Sequence, residues 1–590
     1  MIDNPLEFYI SQQQELELTV FKLKKQLIAI GVFRLFVFLI TFFLIYLTFG
    51  MYPDVFILGF LGICAFSFLV IQYSNLKRAK DIVEAKIEIC KTEIKVLQDD
   101  FFHLDNGVEF LNHNHFYSND IDLFGKGSFF QYTNRTKTIE GKHTYAKLLT
   151  ENIVDTIREK QKAIEELSEK VNWRQHFSAL ASLVNVKNKS SLTKKWLIHY
   201  KTILPKYLSI IQSIFSLISL VLLGLVFFSI ISFSYLLCWF FIGLFITGSY
   251  VKKTTKLYVD TNDIRAVFKQ YYPLLREIEK ESFDAKNLLE QQKIIQSEHK
   301  KASKIFKEFS KILDAFDNRN NIIIAVLGNG LFLVEIYNTY RIEKWINKYK
   351  HTVEKWFEVV AYFDAQNSLA NFKFNHPTYV FPQLKDTKRI IQATSLGHPL
   401  LKANKRVAND FNLNDEQFFI ITGANMAGKS TFLRTVSLSI VMANCGLPVC
   451  AEKFVYQPIK LITSMRTSDS LSEDESYFYS ELKRLKFIVD SIKTEKYFVI
   501  LDEILKGTNS KDKATGSKQF VEKLTQSKST GIIATHDVSL CELEQQFTTI
   551  KNYYFDAEIY NDELHFDYTL KSGICKNMNA SFLLKKMDIV

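Results

Sequence analysis

The chain has 590 residues, 47% hydrophobic and 14% aromatic, with 51 Phe and a formal net charge of +11. That is room for several domains and a large core, and the apolar content is rich for a soluble protein and points to membrane segments. The seven cysteines are odd in number and include no Cys-x-x-Cys pair, which excludes a recognisable disulfide framework or zinc site and favours free thiols in a reducing compartment. The basic balance suits nucleic acid and equally the anionic cytoplasmic face of a membrane, so charge leaves both partners open.

Residues 1–27 are polar, then basic through Lys22, Lys24 and Lys25, and read as an N-terminal cytoplasmic helix. A long apolar run follows and a second comes almost at once, without a small-residue cleavage site, which disfavours a signal peptide. No charge falls between Arg34 and Asp54, or between Asp54 and Lys77. Each gap is long enough to cross a bilayer as a helix, so residues 28–76 read as a first transmembrane hairpin turning at Met51-Tyr52-Pro53-Asp54. Tyr207 to Val251 is also uncharged, too long for one span, and fits a second hairpin (205–251) turning near Ser229 to Ser234. The competing reading, buried core helices of a soluble protein, sits poorly with uncharged runs of this length. Lysines and arginines flank the outer ends of both hairpins and are missing from their tips. By the positive-inside rule the sizeable polar segments are cytoplasmic, which predicts a multi-pass protein of the plasma (inner) membrane with four spans.

Residues 77–204 read as a cytoplasmic helical segment: a charged helix from Lys77 to Leu97, a loop with His113 and His115, and helical pattern again from Lys137 to Lys170. Two His at that spacing could bind a metal, but no Cys or carboxylate cluster supports it and a solvated loop is the plainer reading. Residues 252–385 read as long amphipathic helices. One uncharged interruption, Asn320 to Val334, is too short for a comfortable span and is expected to be a buried or interfacial helix. Pro377 and Pro382 mark a boundary, and 386–590 alternates strand and helix patterns as an α/β domain.

Within that domain the apolar run Phe418 to Ile421 leads through Thr422 into Gly423-Ala424-Asn425-Met426-Ala427-Gly428-Lys429-Ser430-Thr431, and a helix-like segment follows to Ala443. This is G-x-x-x-x-G-K-[ST] in a strand–loop–helix setting, the P-loop pattern. The glycines let backbone N–H groups turn around phosphate oxygens, and the helix presents its positive end to the same anion. Lys429 is expected to reach the β- and γ-phosphates of ATP and Ser430 to ligate Mg²⁺. Tyr497 to Leu501 reads as a buried strand ending in Asp502-Glu503: Asp502 for the Mg²⁺ shell, Glu503 to orient or deprotonate the attacking water. A third strand, Gly531 to Thr535, ends in His536, which could sense the γ-phosphate or be structural.

These residues carry a resemblance. The P-loop with its internal Asn-Met, Leu501-Asp502-Glu503-Ile504 with Gly507-Thr508, and Ala534-Thr535-His536 resemble the ATPase domain of the MutS family, an ABC-like α/β P-loop fold. Upstream, Asn134-Arg135-Thr136 with Gly141 resembles the start of that family's helical core, Phe363-Asp364-Ala365 with Ser368-Leu369-Ala370 the end of its lever helices, and Gly397-His398-Pro399 the approach to its ATPase domain. The resemblance implies a homodimer with composite sites, in which Ser476 reaches the partner's nucleotide and Tyr568 lies near the adenine. It also implies that ATP binding closes the dimer and hydrolysis reopens it. The chain departs from the family at Ala424, where proline is usual, at Leu505-Lys506 for Gly-Arg, and at Asn509 for Ser. Nothing resembles the mismatch-reading domain with its Phe-x-Glu wedge, or the connector domain, so mismatch recognition is unsupported. The sequence reading is therefore a membrane-anchored MutS-like ATPase. Three tasks stay open: DNA binding near the membrane, mechanical or signalling work on an unnamed membrane or protein partner, and, less favoured because the spans carry no charge, transport.

Overall fold

The structure is a computed structural model that describes residues 4–50, 52–184, 190–296, 300–386, 388–424, 426–466, 477–505, 509–560 and 563–575. It divides into a mostly helical N-terminal region bearing apolar helices and a C-terminal α/β region.

Helix α1 (Pro5–Leu47) starts with Pro5 at its first turn and the Asn4 side chain accepting from the Glu7 N–H, a strong start signal. It runs unbroken through the expected boundary at residue 27 into the apolar stretch. Helix α2 (Tyr52–Leu97) returns alongside it and likewise joins the second apolar run to the charged pattern ending at Leu97 in one rod. Among the described residues four helices are long and apolar enough to cross a membrane: Pro5–Leu47, Asp54–Leu97, Tyr207–Phe227 and Phe233–Asn262. Their apolar stretches are open on the outside, with Phe43 59%, Phe60 67% and Phe245 78% exposed.

The polar ends of the first hairpin dock on the helical core. Tyr9 is buried and donates to Asn375 Oδ1 at 3.1 Å, and Glu93, also buried, takes Arg135 Nε at 2.6 Å and Asn375 Nδ2 at 2.8 Å. Helix α3 (Ile139–Thr150) and helix α4 (Ile157–Glu169) fill the 137–170 pattern. Helix α5 (Tyr207–Phe227) and the 48-residue helix α6 (Phe233–Lys280) form the second hairpin, and α6 continues from its apolar half into the core. Helices α7 (Ala302–Asp317), α8 (Val334–Tyr349) and α9 (Val353–Asn375) complete that core around Phe268, Phe306, Trp345, Trp356 and Phe357. The Asn320–Val334 stretch is a different object from the expected single helix. A 3₁₀ turn, a π-helical turn at Ile324–Gly328 and a short helix at Asn329–Phe332 follow one another, and Leu333 closes them in the left-handed region at φ +50°.

Two upstream segments far apart in sequence meet here. The Asp364 carboxylate accepts from the backbone N–H groups of Lys137 and Thr138 and from Thr138 Oγ1, while Arg135 N donates to Ser368 Oγ. A Cβ on Gly141 would lie 2.2 Å from Asp364 Oδ2, so only glycine admits this approach. Burial pushes the Asp364 carboxyl up to about 6, against the hydrogen bonds that favour its anion.

Among the described residues the α/β region holds two larger sheets and a two-stranded antiparallel pair, Glu558–Tyr560 with Glu563–His565. The four-stranded sheet runs β1 (Gln383–Leu384), β5 (Lys453–Tyr456), β2 (Arg389–Leu396), β3 (Asn409–Asn414) in spatial order. The main sheet has the order Lys571–Ser572, β9 (Ile550–Phe555), β4 (Phe418–Gly423), β8 (Thr530–Ala534), β7 (Tyr497–Asp502), β6 (Lys460–Ser464), parallel from β9 to β6 with an antiparallel edge strand. Every residue of β4 and of β8 is buried. One face of β4 uses Phe419 and Ile421, the other Phe418 and Ile420, and separate apolar clusters cover each. Burial on both faces is why these strands read as continuous apolar runs rather than alternating ones.

Candidate functional site

Parallel registry places the chemistry. Ile421 of β4 and Asp502 of β7 both pair with Ala534 of β8, so the three strands end side by side. The ladder continues one step, with Thr535 N donating to Ile421 O and Glu503 N to Ala534 O. The Gly423 loop, Asp502-Glu503 and His536 therefore leave the sheet at one edge, the usual place for a ligand in a parallel α/β sheet.

There they line one cavity of about 730 Å³, with Ala424, Met426, Gly428, Lys429, Ser430, Thr431, Asp502, Glu503, His536 and Tyr568 on its wall. Gly423 and Gly428 have φ +153° and +106°, conformations that side chains rarely adopt. Met426 also sits at positive φ and is 76% exposed, and Ala427 is buried behind the loop. Helix α10 (Lys429–Asn444) begins at the lysine, so its first N–H groups point out of the loop. Lys429 is buried and donates from Nζ to Gly423 O at 2.6 Å and Ala424 O at 2.9 Å. Burial pulls its ammonium pKa down, with Asp502 and Glu503 acting against that fall. Ser430 Oγ donates to Asp502 Oδ2 at 2.8 Å. His536 Nε2 lies 2.8 Å from Glu503 Oε1 and 3.3 Å from Lys429 Nζ. With the proton on Nε2, the imidazole donates to Glu503 and fixes its rotamer. Glu503 itself stands at φ +50°, a left-handed conformation that costs energy for a non-glycine residue.

Tyr568 reaches the cavity through a contact far away in sequence. Asn409 Nδ2 donates to Tyr568 O at 3.1 Å and Asn409 Oδ1 accepts from Leu570 N at 2.7 Å. The tyrosine ring then lies 3.1 Å from where a Cβ on Gly428 would stand. Asn425, Ser476, Gly507 and Thr508 fall outside the described residues.

Several participants escape the motif reading. Leu396, Leu401, Val407, Phe432 and Phe555 add apolar groups to the cavity wall, beside His398. Asn409 has a signal in the sequence: β3 alternates inward Asn409, Phe411 and Leu413 with outward residues, so a polar group at an inward position needs partners. Glu481 on helix α11 (Tyr477–Ser491) is buried and accepts from Leu505 N at 2.6 Å, which holds the segment just after Glu503. The loop after the first hairpin clasps the site from outside: Asp120 accepts from Thr463 Oγ1 and Arg466 N, and Asp122 pairs with Arg466 and with Arg434 of α10. His115, expected in a solvated loop, is half-buried there, its Nε2 3.0 Å from Thr150 O and its Nδ1 accepting from Ser118 N. Among the described residues no group of three or more His, Cys, Asp or Glu is placed to hold a metal. A hydroxyl facing one carboxylate is the hard-oxygen donor set by which proteins take Mg²⁺ together with substrate phosphates.

Comparison with known proteins covers this part of the chain. The profile of MutS domain V matches residues 419–585. The C-terminal α/β region is a MutS-family domain. A DNA mismatch repair protein MutS of Desulfatibacillum aliphaticivorans is 32% identical over 248 residues, 40% of this chain and 28% of that protein. MutS protein homolog 4 of Homo sapiens is 30% identical over 245 residues, 40% of this chain and 26% of that one. The MutS of Staphylococcus epidermidis is 29% identical over 288 residues, 47% of this chain and 32% of its own length. This chain thus spans about a quarter to a third of the curated relatives it matches.

Proposed function

We propose that the protein is a membrane-anchored MutS-like ATPase, binding ATP with Mg²⁺ in the cavity at the end of β4, β7 and β8 and hydrolysing it. One observation carries the reading: a P-loop lysine, a Ser–carboxylate pair and a Glu–His pair converge on that cavity from three adjacent strand ends. The loop N–H groups and Lys429 would bind the phosphates, and Ser430 and Asp502 would hold Mg²⁺, which supplies neutralisation of phosphate charge when bound. The apolar side of the cavity, with Tyr568 beside it, would take the adenine. Glu503 would accept the proton of the attacking water, and His536 holds that carboxylate in place. Lys429 would lend its charge to the transition state. A homodimer with a composite site, in which Ser476 contacts the partner's nucleotide, belongs to the same proposal, as does a cytoplasmic ATPase domain on a plasma (inner) membrane protein with four spans.

Two tasks for the ATPase are kept. DNA binding is supported by the DNA mismatch repair proteins among the relatives and by the basic charge. Mechanical or signalling work on a membrane or protein partner follows from a structural feature: α1, α2 and α6 run without a break from apolar halves into the packed core, so displacement at one end is transmitted to the other. The test is ATP hydrolysis by the full chain in lipid nanodiscs, with and without duplex, mismatched or branched DNA, beside Glu503→Gln. Stimulation by DNA that fades with salt supports the first task. Hydrolysis abolished by Glu503→Gln yet indifferent to DNA supports the second. Absence of hydrolysis in the unaltered chain overturns the enzyme.

A further inference from the structure

The stretch between Arg319 and Glu335 carries no charge, and its apolar side chains face outward: Ile322 76%, Ile323 64%, Val326 42% and Leu327 52% exposed. Twelve or so apolar residues are too few to span a bilayer but are the length of a re-entrant segment. What distinguishes this stretch from an ordinary surface loop is where it packs. A Cβ on Gly243 would lie 2.3 Å from Gly330 O, and one on Gly330 would lie 2.1 Å from the Phe240 ring. Gly243 is ten residues into α6 from Phe233. At 1.5 Å per residue that is roughly 15 Å along a helix whose uncharged part ends at Val251, so Gly330 is level with the middle of the apolar run.

The backbone at this depth is irregular, and apolar surroundings tolerate irregular backbone only where protein groups satisfy it. They do. Phe332 O, at the end of the short helix, accepts from Gln212 Nε2 and from Ser216 Oγ, both at 3.2 Å. These two polar residues sit in the uncharged helix α5, and the broken backbone of the neighbouring segment gives them a partner. Leu333 then turns the chain at φ +50° and is buried with Ile336, Leu208 and Phe215. The next helix, α8, starts with Glu335 N donating to Asn329 Oδ1 at 2.8 Å. The Glu335 carboxylate is closed off by Thr254 of α6 and by Arg319 at 3.2 Å, so the charges at the base of the segment are matched within the protein.

We propose that residues 321–333 are a fifth membrane-inserted element, a re-entrant segment whose exposed isoleucines and leucine contact lipid acyl chains beside the second hairpin. This rests on the reading of α5 and α6 as membrane spans. Lipid is the occupant because the exposed face adjoins the exposed apolar faces of those two helices and shares their depth. The segment joins α7 to α8, both packed on the core half of α6, so the lever region and the bilayer meet here directly.

The test is nitroxide accessibility in proteoliposomes of the full chain, with the exposed Cys64 and Cys238 replaced by Ala. Single cysteines are introduced as Ile323→Cys and Leu327→Cys, with Leu217→Cys of α5 and Phe245→Cys of α6, both exposed, as span references and Glu290→Cys as a water reference. Collision with oxygen and with a water-soluble nickel chelate is measured at each. The proposal expects positions 323 and 327 to match the span references, favouring oxygen several-fold over the Glu290 site. Nickel preference at 323 and 327, with oxygen preference at 217 and 245, overturns the re-entrant segment and leaves the spans standing. Exclusion of both reagents at 323 and 327 also overturns it, because a second copy or another protein then covers the face. Nickel preference at 217 and 245 overturns the spans themselves. In the Leu327→Cys protein, Gly330→Val should shift the label toward the water value, while Gly248→Val, which meets open space, should not; equal behaviour of the two overturns the packing.

Discussion

The two regions use the same apolar side chains in opposite ways. In the α/β region most of them go inside: β4 and β8 are buried along their whole length. In the hairpins they face outward, with Phe60 67%, Phe227 82% and Phe245 78% exposed on well-formed helices. The hydrophobic effect accounts for the first arrangement, and on the proposed membrane reading it accounts for the second as well, with lipid taking the place of protein. The lesson is that burial within the chain measures only the first of these. A helix can have a defined place in the fold while its apolar surface remains for another solvent to cover.

The sharpest test on the α/β side is chemical. Glu503→Gln keeps the shape but removes the proposed base, and hydrolysis is expected to fall about 10²- to 10⁴-fold while folding and nucleotide retention stay intact. ATP turnover beside nucleotide binding to the same protein measures it; unchanged turnover would remove Glu503 from the chemistry. On the hairpin side, Phe60→Arg is the counterpart. On a water-exposed surface it would be nearly neutral, whereas at mid-span it should cost about 2.5–3.5 kcal/mol of insertion, read as a lower membrane-integrated fraction. Normal integration would break the contrast between the regions.

The junction between them gives a smaller effect. Gly141→Ala places a Cβ 2.2 Å from Asp364 Oδ2, and overpacking of this kind costs about 1–3 kcal/mol, visible as a lowered melting temperature. Acid gives the smallest. His376 closes helix α9, with Nδ1 2.8 Å from Phe372 O and Nε2 2.9 Å from Tyr132 Oη, an arrangement that suits the neutral ring. Burial holds its pKa down at about 4, against an ordinary 6.5. The unfolded chain therefore takes up a proton that the folded chain declines; this stability is full above pH 6.5 and is lost as pH falls toward 4. Between pH 7 and 5 the loss should be of order 1 kcal/mol, allowing for partial exposure of the ring. Asp364, raised to about 6 from an ordinary 3.8, works in the opposite direction over nearly the same range, adding stability as pH falls from about 6 toward 4. The check is thus the difference in acid slope between the unaltered protein and His376→Gln, whose slope should be shallower.

Much of the site was legible because its chemistry is local. Gly423 to Thr431 is one contiguous loop, and Asp502-Glu503 and His536 announce themselves as polar residues closing apolar strands. Tyr568 was not legible from its surroundings: what brings it in is Asn409, at the other end of the domain. Glu481 and the Asp120–Asp122 clasp were missed for the same reason, since their partners Leu505, Thr463 and Arg466 are distant in sequence. In the helical region, length and lack of charge marked the four apolar runs, but three of the helices are longer than the segments drawn from composition, because a helix can continue through a change from apolar to charged residues that hydropathy treats as a boundary.

By itself the sequence determined the elements whose cause lies in neighbouring residues: the apolar hairpins, the phosphate-type loop, the strand-end carboxylates. The tertiary structure alone decided which of them meet. Parallel registry set Gly423, Asp502 and His536 at one edge, because hydrogen-bond ladders align strand ends that no spacing rule relates. Close backbone approach did the rest. Gly141 against Asp364 and Gly330 against Gly243 each need one missing side chain, and a glycine in a sequence does not name the atom that will occupy its space.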